Sequence, residues 1–265
     1  MSNFLARLAS IDPVAFSFWI FEVHWYGLAY IVGIAIAAAF TTYFLKRWGY
    51  DPTLDDMLTI TLGVTIGILV GSRLAYILFY GGSYYWLNPA KILAVSDGGM
   101  SFHGGLTFAV IGGAIAARFT SIPLPALIDA GFVGAPLGLG LGRFTNFING
   151  ELWGSVTEMP WGVVFTTGGP LPRHPTQLYE SFLEGIVLFT ILLLLALRRP
   201  PPARWTIFAT FLLGYGTFRF MVEFLRQPDA QIGYLGGNWL TMGMVLSLPM
   251  IVSGIALLIW SRKHA

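Results

Sequence analysis

Seven stretches of about 20 mainly apolar residues follow one another along the sequence, and each is long enough to cross a lipid bilayer as a helix. Charged residues make up only 11% of the 265 residues, whereas an average soluble domain has about 25%. So few charges cannot cover the surface of a water-soluble protein of this size. The sequence therefore predicts an all-α integral membrane protein with about seven transmembrane helices.

No linker divides the chain, so residues 1–265 are expected to form a single polytopic membrane domain. Loops at about 81–101 and 149–177 are rich in glycine, proline and aromatic residues, and we expect them to form a small external cap. The predicted spans are residues 22–45, 57–80, 102–118, 124–148, 178–197, 205–225 and 238–261.

Basic residues between the spans predict their orientation, because cytoplasmic loops carry an excess of lysine and arginine. With seven spans the C-terminus falls in the cytoplasm and the N-terminus outside. The predicted cytoplasmic side has eight basic residues and the external side four, namely Lys46, Arg47, Arg118, Arg198, Arg199, Arg204, Arg262 and Lys263 against Arg7, Lys91, Arg173 and Arg226.

Several classes of site are excluded by composition. The chain has no cysteine, so it can supply neither a disulfide nor a thiol nucleophile. A net charge of +2 without a basic stripe argues against nucleic acid as a partner. The four histidines lack the close spacing of metal ligands, and we expect neither a metal nor a cofactor.

Three arginines lie inside predicted spans, where an ionised side chain costs about 2.5–3.5 kcal/mol or more. Arg73 has no acidic residue on its helix face, and we interpret it as structural. In the sixth span, Arg219, Glu223 and Arg226 share one face, with Tyr215 one turn earlier. Two cations and one anion leave a surplus positive charge, which predicts an anionic ligand.

The fourth span ends in GRFTNFINGELWG, residues 142–154. Here Arg143 and Asn146 are neighbours on one helix face, so a guanidinium and an amide could bind a phosphate and hydroxyl groups. Alternatively, the asparagines could satisfy backbone groups at the helix end. Upstream, the four-residue spacing of Gly134, Gly138 and Gly142 predicts that another helix approaches closely.

His103 lies between pairs of glycines near the start of the third span, and His24 and Tyr26 begin the first. Neutral imidazole could accept a proton, since its unperturbed pKa is about 6.5. The alternative for His103 is a buried histidine with no chemical role. Residues that point to one site are therefore spread over at least four spans.

These motifs resemble the bacterial prolipoprotein diacylglyceryl transferases over nearly the whole chain. The resemblance depends on HWYGLAY (24–30), HGGL (103–106), GRFTNFINGELWG (142–154), RHPTQLYE (173–180) and FRFMVEFLRQPD (218–229). It implies transfer of the diacylglyceryl group from phosphatidylglycerol to the lipobox cysteine of a preprolipoprotein, forming a thioether and releasing glycerol phosphate. It also implies a multi-pass protein of the bacterial inner membrane, with the active site toward the outer face.

The resemblance suggests a role for each candidate residue. Arg143 and Arg219 would clamp the phosphate. His103 would be the base that accepts the thiol proton, and Tyr26 would be an orienting or proton-relay group beside it. The residues assigned to substrate binding are Arg143, Asn146, Glu151, Gly154, Tyr215, Glu223, Arg226 and His24. Among them Asn146, Glu151 and Gly154 would shape the headgroup pocket, and Glu223 would position an arginine.

Other readings of the same features are weaker. A secondary transporter for an anionic solute would explain the intramembrane arginines, but transporters often have paired halves, and we find no internal repeat. An intramembrane protease would need a GxSxG or GxGD sequence, and neither is present. A purely structural protein would leave the polar residues at the predicted outer ends of the spans unexplained.

The predicted orientation can be tested with topology reporters fused at four points. Reporters after residues 48 and 201 should report a cytoplasmic location, and those after residues 88 and 168 an external one. A cytoplasmic signal at residue 168 would contradict the seven-span orientation.

Overall fold

The structure, a computed structural model, describes residues 2–19, 21–81, 84–94, 99–228 and 233–264, and most of them are helical. Helix α1 (Ser2–Leu8) precedes a hairpin of strands β1 (Val14–Phe18) and β2 (Phe21–His24). The helices that follow are α2 (Trp25–Arg47), α3 (Leu54–Tyr80), α4 (Tyr84–Leu87), α5 (Phe102–Ala117), α6 (Leu124–Ile148), α7 (Thr176–Ala196), α8 (Thr206–Glu223) and α9 (Met242–Lys263).

The predicted helical membrane fold is confirmed, since each of the seven predicted spans overlaps one of these helices over most of its length. Five of them, α2, α3, α6, α7 and α9, are long and apolar enough to cross a membrane. Helix α5 has only 16 residues, a length of about 24 Å against a hydrocarbon core of about 30 Å. The protein is therefore multi-pass, and the seven crossings stay a prediction.

The hairpin places the start of the first long helix three residues later than the predicted start of about residue 22. The first span was predicted to begin at residue 22, but residues 22–24 belong to β2, which pairs antiparallel with β1. Apolar and polar side chains alternate here, with Phe16 opposite Val23 and Ser17 opposite Glu22. A period of two suits a strand, and this pattern ends where α2 begins.

The chain forms two compact units, residues 42–128 and residues 1–41 with 129–265. In the smaller unit, α3 packs against α5 through glycines. A Cβ on Gly112 would collide with the carbonyl oxygen of Gly63, and one on Gly104 with that of Gly71. The two backbones approach so closely that no side chain fits between them at these points.

Arg73 on α3 is satisfied by backbone carbonyls within the same unit. Its Nε donates to the carbonyl oxygen of Ile92 at 2.9 Å, and its terminal nitrogens donate to those of Lys91, Ala94 and Gly99. The side chain is buried and makes these bonds to the segment after α4. The structural interpretation of Arg73 is thereby confirmed.

Small residues also set the packing of α6 in the larger unit. A Cβ on Gly138 would lie 3.2 Å from Cα of Gly33 on α2, and one on Gly134 would lie 3.1 Å from Cα of Ala37. The predicted close approach is confirmed at these two glycines, whereas nothing lies within 4 Å of a Cβ on Gly142. On another side of α6, Gly140 packs against Gly185 of α7.

A buried carboxylate on α6 caps the start of α8. Asp129 accepts hydrogen bonds from the backbone nitrogens of Trp205 at 2.6 Å and Phe208 at 2.9 Å. These N–H groups have no partner within the helix, and the positive end of the helix dipole favours a carboxylate there. Asp129 therefore ties the start of α8 to α6.

We expect Asp129→Ala to lower the free energy of unfolding by about 1–3 kcal/mol, because it leaves buried donors without an acceptor. Thermal or denaturant unfolding in detergent would measure the loss. The matched control is Glu158→Ala at an exposed position of the same unit, which should change stability by less than about 0.5 kcal/mol. Equal stability of the two variants would contradict the capping role.

Candidate active site

Six charged side chains from three helices and the segment after α8 meet in the larger unit. They comprise three arginines and three glutamates, namely Arg143 on α6, Glu180 and Glu184 on α7, Arg219 and Glu223 on α8, and Arg226 just beyond it. We call this set the charged cluster. All three glutamates are buried, and the arginine side chains are at most 16% exposed.

Glu180 is the centre of the charged cluster, because its carboxylate contacts all three arginines. Its Oε2 lies 3.2 Å from Nε of Arg143, and its Oε1 lies 3.1 Å from Nη1 of Arg226. The same Oε1 accepts a hydrogen bond from Nη1 of Arg219. A fully buried carboxylate with three cationic partners fixes the relative positions of the three guanidinium groups.

Glu223 holds the other side of the charged cluster. Its Oε1 pairs with Nη2 of Arg219 and lies 3.7 Å from Nε of Arg226. Its Oε2 accepts a hydrogen bond from Thr241, whose hydroxyl also caps the first turn of α9. Glu223 thus contacts arginines on its own helix face, an arrangement that suits the predicted positioning role.

The predicted surplus of positive charge is wrong when the formal charges of all six side chains in the charged cluster are added. The sequence argument considered Arg219, Glu223 and Arg226 alone, but α7 adds Glu180 and Glu184, so that formal charges balance. A search for acidic residues inside spans would have found both, because they lie one turn apart in the predicted fifth span.

Two tyrosines adjoin the charged cluster. Tyr215, one turn before Arg219 on α8, is 2% exposed and forms a side-chain hydrogen bond with Arg143. Tyr26 on α2 is close enough to interact electrostatically with Arg143 and Glu151. Its hydroxyl also lies 3.2 Å from that of Tyr30. The structure therefore places Tyr215 in contact with Arg143, and Tyr26 within electrostatic range of it.

The end of α6 forms an amide and carboxylate group next to the charged cluster. Glu151 accepts hydrogen bonds from Nδ2 of Asn146 at 2.8 Å and of Asn149 at 3.2 Å. Gln177 donates to the carbonyl oxygen of Glu151 at 2.6 Å, and Thr176 to that of Leu152. These bonds orient the exposed Glu151 carboxylate, and the sequence argument had missed the contribution of Gln177.

Gly154 is a point of close backbone contact. Its nitrogen donates to the carbonyl oxygen of His174 at 2.8 Å, and a Cβ there would lie 2.5 Å from the carbonyl oxygen of Leu225. The residue also pairs with Arg226 in an isolated bridge. Only glycine fits, so Gly154 holds the loop after α6 against the chain segment that carries Arg226.

Two further histidines come from the end of β2 and from the segment before α7. His24 on β2 is half exposed, with Nε2 3.9 Å from the Glu22 carboxylate. His174 follows the loop, where Nδ1 lies 3.2 Å from the hydroxyl of Tyr179. Burial lowers the pKa of His174, so the imidazole is neutral at neutral pH. The sequence argument gave His174 no role of its own.

For His103 the structure describes the backbone, whereas the side chain is outside the described residues. The backbone lies in the first turn of α5, where the Ser101 side chain caps the helix by accepting a hydrogen bond from the Gly104 nitrogen. Among the residues that the structure describes, no three histidine, aspartate or glutamate side chains are arranged to hold a metal ion.

The arrangement suits an anionic substrate. Arg143 contacts both of its carboxylate partners through Nε, so the edge formed by its two terminal nitrogens faces away from them. That edge has the geometry to bind two oxygens of a phosphate. The nearby Asn146 and Glu151 provide groups that can bind hydroxyls.

Comparison with known proteins shows to which family the chain belongs. The family model of prolipoprotein diacylglyceryl transferase matches residues 13–260. The chain belongs to that family. It is 49% identical over 255 residues to the phosphatidylglycerol–prolipoprotein diacylglyceryl transferase of Geobacter sulfurreducens, covering 96% of this chain and 97% of the relative.

Other transferases of the same name are similar over most of their length. The protein of Brucella anthropi is 47% identical over 260 residues, covering 93% of this chain and 90% of the relative. That of Pseudomonas paraeruginosa is 46% identical over 254 residues, covering 96% and 95%. Membership of the diacylglyceryl transferase family confirms the resemblance seen in the motifs and the expected transferase class.

We expect Gly154→Ala to disrupt the charged cluster without touching any charge, because the added methyl group collides with two backbone segments. Transfer activity should fall by at least about tenfold and stability by about 1–3 kcal/mol, as for an overpacked core. Activity assays and thermal unfolding would measure both.

The control for this substitution is Gly142→Ala, on α6, where a Cβ has open space. It should retain activity and stability. Unchanged activity of Gly154→Ala would show that the loop after α6 adapts, and that the contact is not needed.

Proposed function

We propose that this diacylglyceryl transferase binds phosphatidylglycerol with its phosphate at Arg143 and transfers the diacylglyceryl group to the lipobox cysteine of a prolipoprotein. The observation that supports this most directly is the orientation of the Arg143 guanidinium, whose Nε contacts two buried glutamates. The secondary transporter alternative loses its support, since the family and the relatives are transferases.

The reaction is a displacement at the glycerol carbon that carries the phosphate. The cysteine sulfur forms a bond to that carbon, the carbon–oxygen bond breaks, and glycerol phosphate leaves with the bonding electrons. The thiol must lose its proton, because a free cysteine has a pKa of about 8.5 and the thiolate is the nucleophile. Negative charge develops on the departing phosphate, which cationic donors stabilise.

In this proposal Arg143 and Arg219 contribute to phosphate binding in different ways. Arg143 binds two of its oxygens, whereas both terminal nitrogens of Arg219 already contact Glu180 and Glu223. Arg219 therefore contributes positive charge and its remaining N–H groups. Arg226, which contacts the same two glutamates, adds to the positive electrostatic potential at the proposed phosphate position.

The other predicted residues complete the proposal. Glu151, oriented by Asn146, accepts hydrogen bonds from the glycerol headgroup, and Tyr215 and Tyr26 orient Arg143 and the lipid. His103 is the proposed base for the thiol proton. Gly154 acts through backbone packing, and His24, the last residue of β2 before α2, is proposed to contact the substrate.

The substrates also suggest where the site faces. Phosphatidylglycerol and a signal-peptide helix would both enter sideways from the bilayer, which suits a site built between spans. In the predicted orientation, the charged cluster lies toward the outer face of the bacterial inner membrane. The reporter at residue 168 tests this, because it follows the same loop as Glu151.

Replacing each arginine by lysine separates charge from geometry. Arg143→Lys loses the two-pronged contact with phosphate, and Arg219→Lys cannot bridge Glu180 and Glu223. We expect each to reduce the transfer rate by about 10²–10³-fold, the usual cost of one lost donor to a developing oxyanion. The assay is transfer from labelled phosphatidylglycerol to a lipobox peptide.

The control is Arg198→Lys, in the exposed loop after α7, which should leave the rate unchanged. Size-exclusion and thermal unfolding profiles would establish that all three variants fold. Near-normal transfer by both Arg143→Lys and Arg219→Lys would refute the phosphate clamp.

A further inference from the structure

Glu184 differs from the other two glutamates of the charged cluster. It is fully buried on α7, yet neither of its carboxylate oxygens has a hydrogen-bond partner among the described residues. Among the described residues its one ionic contact is long, 3.6 Å from Oε2 to Nε of Arg143. Glu180, one turn earlier, occupies the same Nε at 3.2 Å.

The other carboxylates are well supplied with partners. Glu180 contacts three arginines, and Glu223 contacts two and also receives the Thr241 hydroxyl. A buried carboxylate is stable as an ion only when partners and hydrogen bonds replace its hydration. Glu180 and Glu223 each have one oxygen that accepts a hydrogen bond, and their other oxygens, Oε2 and Oε1, are in ion pairs only. Glu184 differs because neither of its oxygens accepts a hydrogen bond from a described residue.

Glu184 lies within a π-helical turn, Ser181–Val187, whose winding differs from that of the α-helix on either side. The adjoining Gly185 packs directly against Gly140 of α6, so the backbones of α7 and α6 are in close contact beside Glu184. The Glu184 side chain is fully buried there, next to Arg143.

We propose that Glu184 carries a proton when phosphatidylglycerol binds, so that the charged cluster then has one unbalanced positive charge that retains the phosphodiester. Three arginines face two ionised glutamates in this state, and the single negative charge of the lipid phosphate completes the balance. Loss of the proton would make the cluster neutral before the lipid arrives and would weaken lipid binding.

Among the described residues, the charged groups that interact with Glu184 come from three elements. They are Arg143 from α6, Arg219 and Arg226 from the α8 side, and Glu180 on the same helix. The hydroxyl of Tyr215 on α8 also interacts electrostatically with Glu184.

The inference rests on the proposed position of the phosphate, so the experiment measures lipid binding rather than transfer. Purified protein is titrated with phosphatidylglycerol, without peptide, from mildly acidic to mildly alkaline pH. Affinity of the wild-type protein should fall by about tenfold or more as pH rises, because one charge is lost from the site. Glu184→Gln, which mimics the protonated form, should bind as the wild type does at low pH and should not respond to pH.

Infrared difference spectroscopy gives a direct second readout. The wild-type protein should show the carbonyl band of a protonated carboxylic acid that disappears in Glu184→Gln and persists in Glu180→Gln. Absence of such a band in the wild-type protein would overturn the proposal, and it would do so even if Glu184→Gln failed to fold. A tenfold gain in lipid affinity in Glu184→Gln at neutral pH would also overturn it, since Glu184 would then be ionised in the wild type.

Arg143→Ala separates failure of this proposal from failure of the proposed function. If Arg143→Ala folds and binds phosphatidylglycerol as tightly as the wild type does, the phosphate is not at the charged cluster, and both proposals fail. If Arg143→Ala loses the lipid while the affinity of the wild type is independent of pH, the phosphate position stands and the role of Glu184 alone is refuted.

Discussion

The cost of placing an ion in a hydrocarbon environment governs the construction of this active site. Each guanidinium of the charged cluster meets at least one buried carboxylate, and Glu180 serves all three. Removing one partner from such a network leaves an uncompensated charge, which costs about 3–5 kcal/mol. The positions of α6, α7 and α8 are therefore coupled at this point, and the geometry proposed for phosphate binding follows from the same ion pairs that make the helices compatible with the membrane.

Much of this organisation could be predicted from the sequence. Apolar stretches of the right length locate the helices. Arginines inside them indicate the candidate site, because an ionised side chain within the bilayer costs free energy unless a partner or ligand compensates its charge. The spacing of Gly134 and Gly138 indicates close packing with α2. Tyr215, Arg219 and Glu223 fall on one face of α8 by helical periodicity alone. These features are all local to one helix, and local patterns are what a single sequence displays.

What the sequence did not reveal depends on contacts between distant segments. Glu180 becomes the centre of the charged cluster only because α7 lies beside α6 and α8, and no spacing within α7 indicates this. Gly154 resembles any loop glycine until the backbone of Leu225 is found against it. The β1–β2 hairpin was missed because an apolar run beside a predicted span was assigned to the span. For Glu180 and Gly154 the decisive partner is many residues away in the chain, whereas the hairpin pairs residues that are close in sequence.

The hydrogen bond from Thr241 to Glu223 makes the last helix part of the site, although α9 contributes no charge. A growing chain inserts its arginines and glutamates before α9 has been synthesised. Until that helix is in place, Glu223 lacks the hydroxyl that fixes its carboxylate, and the start of α9 does not yet shield it. The order of biosynthesis thus delays completion of the charged cluster until nearly the whole chain has entered the membrane.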